Sequence, residues 1–283
     1  MRVVFYTHAQ FRGDELFRYT YARVASRFGN GGIVAVRPPN DSRMLRNFNR
    51  WRRKIGRLGM LNALEIVSSY PLQRAISIRQ THEGEQLLRL APRPDIAPPP
   101  EGEVYVPSAN GPEAVEAIGG FKPEVLLHCG AGILEPQIFT LPQVACLNVH
   151  PGIAPLIRGV APINWALWEN RPEWIGATVH RIDAGIDTGE VLAYAPVKRC
   201  CEFEGFATLF ARIAQRGVDQ LLAVLTRLAA GESWQEPVPP GKHLYRSTIS
   251  GWKLAALELR LARHQARHGR PGSGRQSASA TGI

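Results

Sequence analysis

The chain has 283 residues, 45% of them hydrophobic, which is enough for one sizeable core with an appendage. No run of about twenty apolar residues occurs, which excludes a membrane-spanning helix, and the opening MRVVFYTHAQFRGDE lacks the long apolar core of a signal peptide, so a cytoplasmic protein is expected. The net charge of +10 is uneven: residues 43–57 and 241–283 carry +7 each, leaving −4 on the remainder. Such basic segments attract phosphates, nucleic acid or an anionic membrane surface, or simply keep a helix face solvated.

In chain order, Arg2 to Thr7 is an apolar β-prone run and is read as the first strand. Gly13 to Arg27 places Leu16, Tyr19, Ala22 and Val24 at helical spacing, and Gly32 to Val36 follows as a second strand. The strand-helix-strand order predicts a doubly wound, mostly parallel α/β sheet. Thr7-His8-Ala9-Gln10 stands where a dinucleotide-binding glycine fingerprint would lie, which argues against a nicotinamide oxidoreductase. Residues 43–90 read as a basic helical insertion, and Pro92 to Pro100 as an extended, exposed connector. Glu103 to Pro107 predicts a third strand, Pro112 to Ile118 a helix, and Glu124 to Cys129 another strand. Phe203 to Ala229 has the pattern of an amphipathic helix or helix pair. Ser247 to Arg267 predicts a final helix, after which the Gly, Ser and Arg-rich tail is expected to be disordered. The domain reading is therefore a main domain over 1–230, a short helical C-terminal appendage over 231–267, and a tail over 268–283. Cys129, Cys146, Cys200 and Cys201 lack metal-ligand spacing, and no metal site is assigned.

The most informative stretch runs from Val144 to Val197. Its apolar opening predicts a buried strand that ends in Asn148-Val149-His150-Pro151, with Asn148 and His150 on one side of it. Asp183-Ala184-Gly185-Ile186-Asp187-Thr188-Gly189 reads as a tight loop between two further strands. An amide donor, an imidazole and a carboxylate are the parts needed to move an acyl group.

The order Asn148-x-His150, Pro155, Arg158-Gly159, Ala161-Pro162, Asn164-Trp165, Gly176-x-Thr178 and Asp187-x-Gly189 closely resembles the folate-dependent formyltransferase family. That resemblance implies a formyltransferase-type Rossmann-like fold and transfer of a formyl group from 10-formyltetrahydrofolate to a primary amine, without a metal. It places Asn148 and His150 as donors to the developing oxyanion and Asp187 as the group that orients His150 and helps move a proton. It assigns Gly132, Ile133 and Leu134 to the pteridine pocket, and Asp183, Ala184 and Gly185 are counted with them. Gly152-Ile153-Ala154 departs from the Ser-Leu-Leu run common in relatives.

The runs Ala161 to Leu167 and Thr178 to Arg181 look most like enzymes that formylate nucleotide-linked amino sugars, so a phosphate-bearing small-molecule amine is the expected acceptor. Methionyl-tRNA is the alternative. Enzymes acting on it usually add a C-terminal β-barrel, and only about fifty residues follow the long amphipathic helix here. An alternative of another class is a non-catalytic protein of the same fold whose basic ends bind nucleic acid or a membrane.

Overall fold

The computed structural model describes residues 1–38, 60–98, 103–201 and 204–268. The basic run 43–57 and the tail 269–283 lie outside them. The element order is β1 (Val3–His8), α1 (Glu15–Phe28), β2 (Ile33–Val36), α2 (Met60–Ser68), α3 (Tyr70–Arg89), β3 (Glu103–Val106), α4 (Pro112–Phe121), β4 (Val125–Cys129) and α5 (Pro136–Phe139). There follow β5 (Ala145–His150), β6 (Ile157–Gly159), α6 (Pro162–Trp168), β7 (Gly176–Arg181), β8 (Val191–Pro196), α7 (Phe206–Ala229), β9 (Leu244–Arg246) and α8 (Gly251–His268).

Seven strands form one sheet in the order β3-β2-β1-β4-β5-β7-β8, and β6 pairs with β9 in a small second sheet. The first five are parallel, while β7 and β8 run antiparallel to their neighbours. The expected doubly wound, mostly parallel architecture is therefore present. The strands of its middle are continuous apolar runs because helices cover both faces. On one face Phe5, Val125, Leu127 and Leu147 meet Phe17, Tyr21, Leu221 and Leu225 of α1 and α7. On the other, Tyr6, Val34 and Leu126 meet Ala114, Ile118 and Ile138. Each fully buried aliphatic side chain contributes about 1.5–3 kcal/mol.

The segment read as an insertion contributes part of the same core, with Leu88 of α3 fully buried. The C-terminal helix also packs on the body rather than hanging from it. Leu254, Leu257 and Leu261 of α8 are buried, Glu258 takes hydrogen bonds from Arg79 and Gln80 of α3, and Lys253 pairs with Glu65 of α2 at 2.6 Å. His268 ends α8 instead of starting the tail.

Candidate active site

Sheet register sets the site. β4, β5 and β7 pair so that His128, Asn148 and His180 stand opposite one another, and side chains directly opposite share a face. His128 Nδ1 lies 3.3 Å from Asn148 Oδ1, and Asn148 Nδ2 donates to His180 Nε2 at 3.1 Å. His180 Nδ1 donates to the Arg181 carbonyl at 2.7 Å. Among the described residues one Asn148 amide hydrogen is thus engaged, and its second is available to a ligand.

Asp187 meets this row from the loop between β7 and β8. Its backbone is left-handed, with φ of 51°, a conformation that aspartate tolerates better than most residues. Asp183 fixes the loop, its Oδ1 accepting from the Gly185 amide at 3.0 Å and from the Thr188 hydroxyl at 2.7 Å. Asp187 Oδ2 accepts from the Gly159 amide at 2.9 Å and lies 3.5 Å from His150 Nδ1, while Oδ1 lies 3.6 Å from His180 Nε2. Burial alone would raise this carboxyl. The His180 contact, with the influence of nearby His150 and the Gly159 amide, outweighs burial and holds the pKa at about 2, so the group is a fixed negative charge and a weak base. Gly159 is required here: its φ is 98°, and a Cβ would lie 2.3 Å from the Arg246 carbonyl oxygen.

His150 is more enclosed than the sequence suggests. It is 3% exposed, and its Nε2 is 3.1 Å from the Ile157 carbonyl oxygen. Burial is the largest influence on its pKa and lowers it, against the pull of Asp187. The residue lines neither cavity described below. Thr178 secures the turn after it, donating to the Gly152 carbonyl at 2.7 Å and accepting from the Ala154 amide at 3.0 Å. The departure at Gly152 has a steric basis, because a Cβ there would sit 2.9 Å from Pro162 Cβ and 3.0 Å from His150 Nε2.

His128 was not found by sequence reasoning. Its Nε2 is 2.9 Å from the Gly132 carbonyl oxygen, so both its ring nitrogens face acceptors. Only an imidazolium donates to both, and burial opposes that charge. The neutral ring satisfies one contact at a time. The alternation of an apolar strand gave no sign of it; its position opposite Asn148 depends on register.

A cavity of about 90 Å³ lies beside this row, lined by Gly132, Ile133, Leu134, Asp183 and Gly185, with Asn148, His180 and Asp187. Five of the six residues assigned to the folate pocket thus come together with Asn148 and Asp187, whereas Ala184 is exposed and does not line it. Ile133 is 69% exposed, an apolar lip beside main-chain groups, which suits a flat heteroaromatic ring. A larger cavity of about 340 Å³ is also bordered by His128 and Asn148.

Comparison with known proteins agrees with this geometry. The family model described as Formyl transferase matches residues 78–225. A methionyl-tRNA formyltransferase of Caldanaerobacter subterraneus subsp. tengcongensis is 33% identical over 161 residues, which is 53% of this chain and 50% of that protein. The chain spans about half the length of the curated relatives it matches. In fold it is similar to a sugar N-formyltransferase from Shewanella (TM-score 0.53, 15% identity, 87% of this chain and 77% of that one). It is also similar to HypX from Aquifex aeolicus in complex with tetrahydrofolic acid (TM-score 0.51, 16% identity, 88% of this chain and 30% of that one). With just over half of its sequence matched, including Asn148, His150 and Asp187, the chain belongs to the folate-dependent formyltransferase family.

Proposed function

We propose that the protein transfers the formyl group of 10-formyltetrahydrofolate to a primary amine. The observation that carries this reading is the unengaged amide hydrogen of Asn148, set in one row with His128 and His180 and faced by the ionised Asp187. The donor supplies an already activated formyl carbon, so the chain has to position, polarise and manage protons. Gly132, Ile133, Leu134, Asp183 and Gly185 hold it, and Asn148 donates to the formyl oxygen where negative charge develops. Removing one such donor typically costs about 10²–10³ in rate.

Asp187 stabilises positive charge as the amine nitrogen attacks and, through a water or His180, guides the proton that this nitrogen gives up. His150, with Nε2 held by Ile157 and Nδ1 facing Asp187, reads better as the group that fixes Asp187 than as a direct donor to substrate. The first acceptor class is a nucleotide-linked amino sugar, on the likeness of residues 161–167 and 178–181. The second is methionyl-tRNA, which the 33% identical relative acts on by its name. The test offers 10-formyltetrahydrofolate with a panel of nucleotide-linked amino sugars, methionyl-tRNA and simple amines, with products read by mass spectrometry and His150→Ala run alongside. A formylated acceptor supports the reaction and names its substrate; no formylated product from any amine contradicts it.

A further inference from the structure

β6 is three residues long, and each of the three makes a contact with His150 or with the Asp187 loop. The Ile157 carbonyl oxygen lies 3.1 Å from His150 Nε2. Arg158 Nη1 donates to the Ile186 carbonyl at 3.4 Å, and the Gly159 amide donates to Asp187 Oδ2 at 2.9 Å. A strand this short does not hold its own direction, and an isolated pair of strands is marginal in water. Among the described residues the strand partner of β6 is β9 alone. The orientation of His150 and Asp187 therefore depends on what fixes β9.

The main chain supplies part of the hold. Gly159 stands opposite Arg246, the Val160 amide donates to the Arg246 carbonyl at 2.9 Å, and the Leu244 amide donates to the Leu156 carbonyl at 3.1 Å. The Arg246 side chain supplies the rest by reaching across to α6. Its Nε and Nη2 both donate to Glu169 Oε1, at 3.0 and 2.7 Å, and its guanidinium stands 5.4 Å from the centre of the Trp165 ring. Trp165 Nε1 in turn donates to the Ser247 carbonyl at 2.8 Å. Glu169 is the C-cap of α6, and α6 is seated in the core through Ile163, Ala166 and Leu167. One arginine thus ties β9 to a buried helix with its side chain and to β6 with its backbone. It lies beyond residue 225, where the match to the family model ends.

We propose that Arg246 is a positioning residue: its grip on Glu169 and Trp165 fixes β9, β9 fixes β6, and β6 sets the orientation of Asp187 through the Gly159 amide and of His150 through the Ile157 carbonyl. The effect on rate rests on the formyl-transfer reading; the effect on Asp187 itself does not. A supporting contact of this kind matters because a charged group acts best when its direction is settled before the substrate arrives. Loosening β6 withdraws an amide donor from Asp187, and a carboxylate that loses a donor is easier to protonate.

The test compares Arg246→Met, Arg246→Lys, Glu169→Gln and Arg23→Met in the whole protein. Arg23 pairs with Asp219 at 2.7 Å, joining α1 to α7 rather than β9 to α6, so Arg23→Met controls for a general loss of stability. The Asp187 carboxyl carbon is followed by NMR from about pH 6 to about pH 3, and kcat and KM are measured with 10-formyltetrahydrofolate and the acceptor that is formylated fastest. In the native chain Asp187 stays almost wholly ionised over that range. In Arg246→Met the carboxyl takes a proton about tenfold more readily, and kcat falls about tenfold while KM for the folate stays within about twofold. Arg246→Lys, which keeps the charge without the forked grip, recovers part of both. Glu169→Gln shifts both in the same direction by less, and it carries the test if Arg246→Met does not fold. Arg23→Met lowers the urea midpoint and shifts neither. Lower stability of Arg246→Met with the Asp187 titration and kcat unmoved overturns the proposal and leaves the reaction standing. An equal shift of the titration in Arg23→Met also overturns it. A titration that moves as expected, in a protein that formylates no amine, supports the positioning role and defeats the formyl-transfer reading.

Discussion

The two sides of Asn148 are built on opposite plans. On the side of the smaller cavity the polar groups hold one another: Asp187 has Gly159, His150 and His180, Asn148 has His128 and His180, and Asp183 has Gly185 and Thr188. On the side of the larger cavity, Asp14 and Glu85 have no side-chain hydrogen-bond partner among the described residues and border apolar walls, with His82 and Arg89 acting on Glu85 only through their charge. A group that stabilises a transition state works best when its orientation is settled in advance. The contrast separates polar groups fixed in advance from an apolar-walled cavity whose two carboxylates are held less.

Breaking the held side should cost the most. Asp187→Asn keeps the shape of the side chain but removes the charge, and we expect kcat to fall by about 10²–10⁴ with folding and folate binding retained; near-normal turnover would sink the role given to Asp187. Asn148→Ala removes the free amide hydrogen and the centre of the row, with an expected loss of about 10²–10³ in kcat. A change confined to KM would mean the amide only binds. His128→Leu sharpens the comparison, because it frees Asn148 Oδ1 while leaving the His180 contact in place. Loss of one hydrogen bond, worth about 0.5–1.5 kcal/mol, predicts a severalfold fall in kcat and partial rescue by His128→Gln.

The smallest effect is on stability. A group whose pKa is lower in the folded than in the unfolded chain adds stability above its ordinary value and loses it as pH falls. Asp187 is such a group, and its contribution fades between the usual carboxylate range and about pH 2. Protonation of buried His150, also lowered, opposes folding in the same direction at higher pH. Urea midpoints should therefore decline on acidification, first through the imidazole range and then through the carboxylate range. The second decline should be shallower in Asp187→Asn.

Much of this fold was legible because its strands are apolar runs separated by turn residues. β1, β2, β4 and β5 fall within a residue or two of the expected spans, as does α1, and α7 starts and ends close to its periodic pattern. Two short elements escaped. β6 has three residues and pairs with β9, more than eighty positions away, a non-local partner that no local pattern announces. α6 is a seven-residue helix entered through Ala161 at φ 56° with Pro162 in its first turn, too short to show a period. In the site, the spacing Asn148, His150 and Asp187 was legible, and the structure brings the three together. The row of His128, Asn148 and His180 was not, because strand register is a tertiary fact. The larger cavity was hidden for the same reason: Asp14, Glu85 and Phe210 come from three helix regions that only the packing of α1, α3 and α7 unites.

The central claim is transfer of an intact formyl group to nitrogen at Asn148 and Asp187. Its most direct test is a single-turnover reaction with donor carrying a carbon-isotope label in the formyl group, followed by mass spectrometry of both the amine and any free formate, for the native chain and for Asp187→Asn. The account predicts that the label appears on the amine with the native chain and is nearly absent with the variant. Label found only in formate, or reaching the amine equally with both proteins, would contradict it.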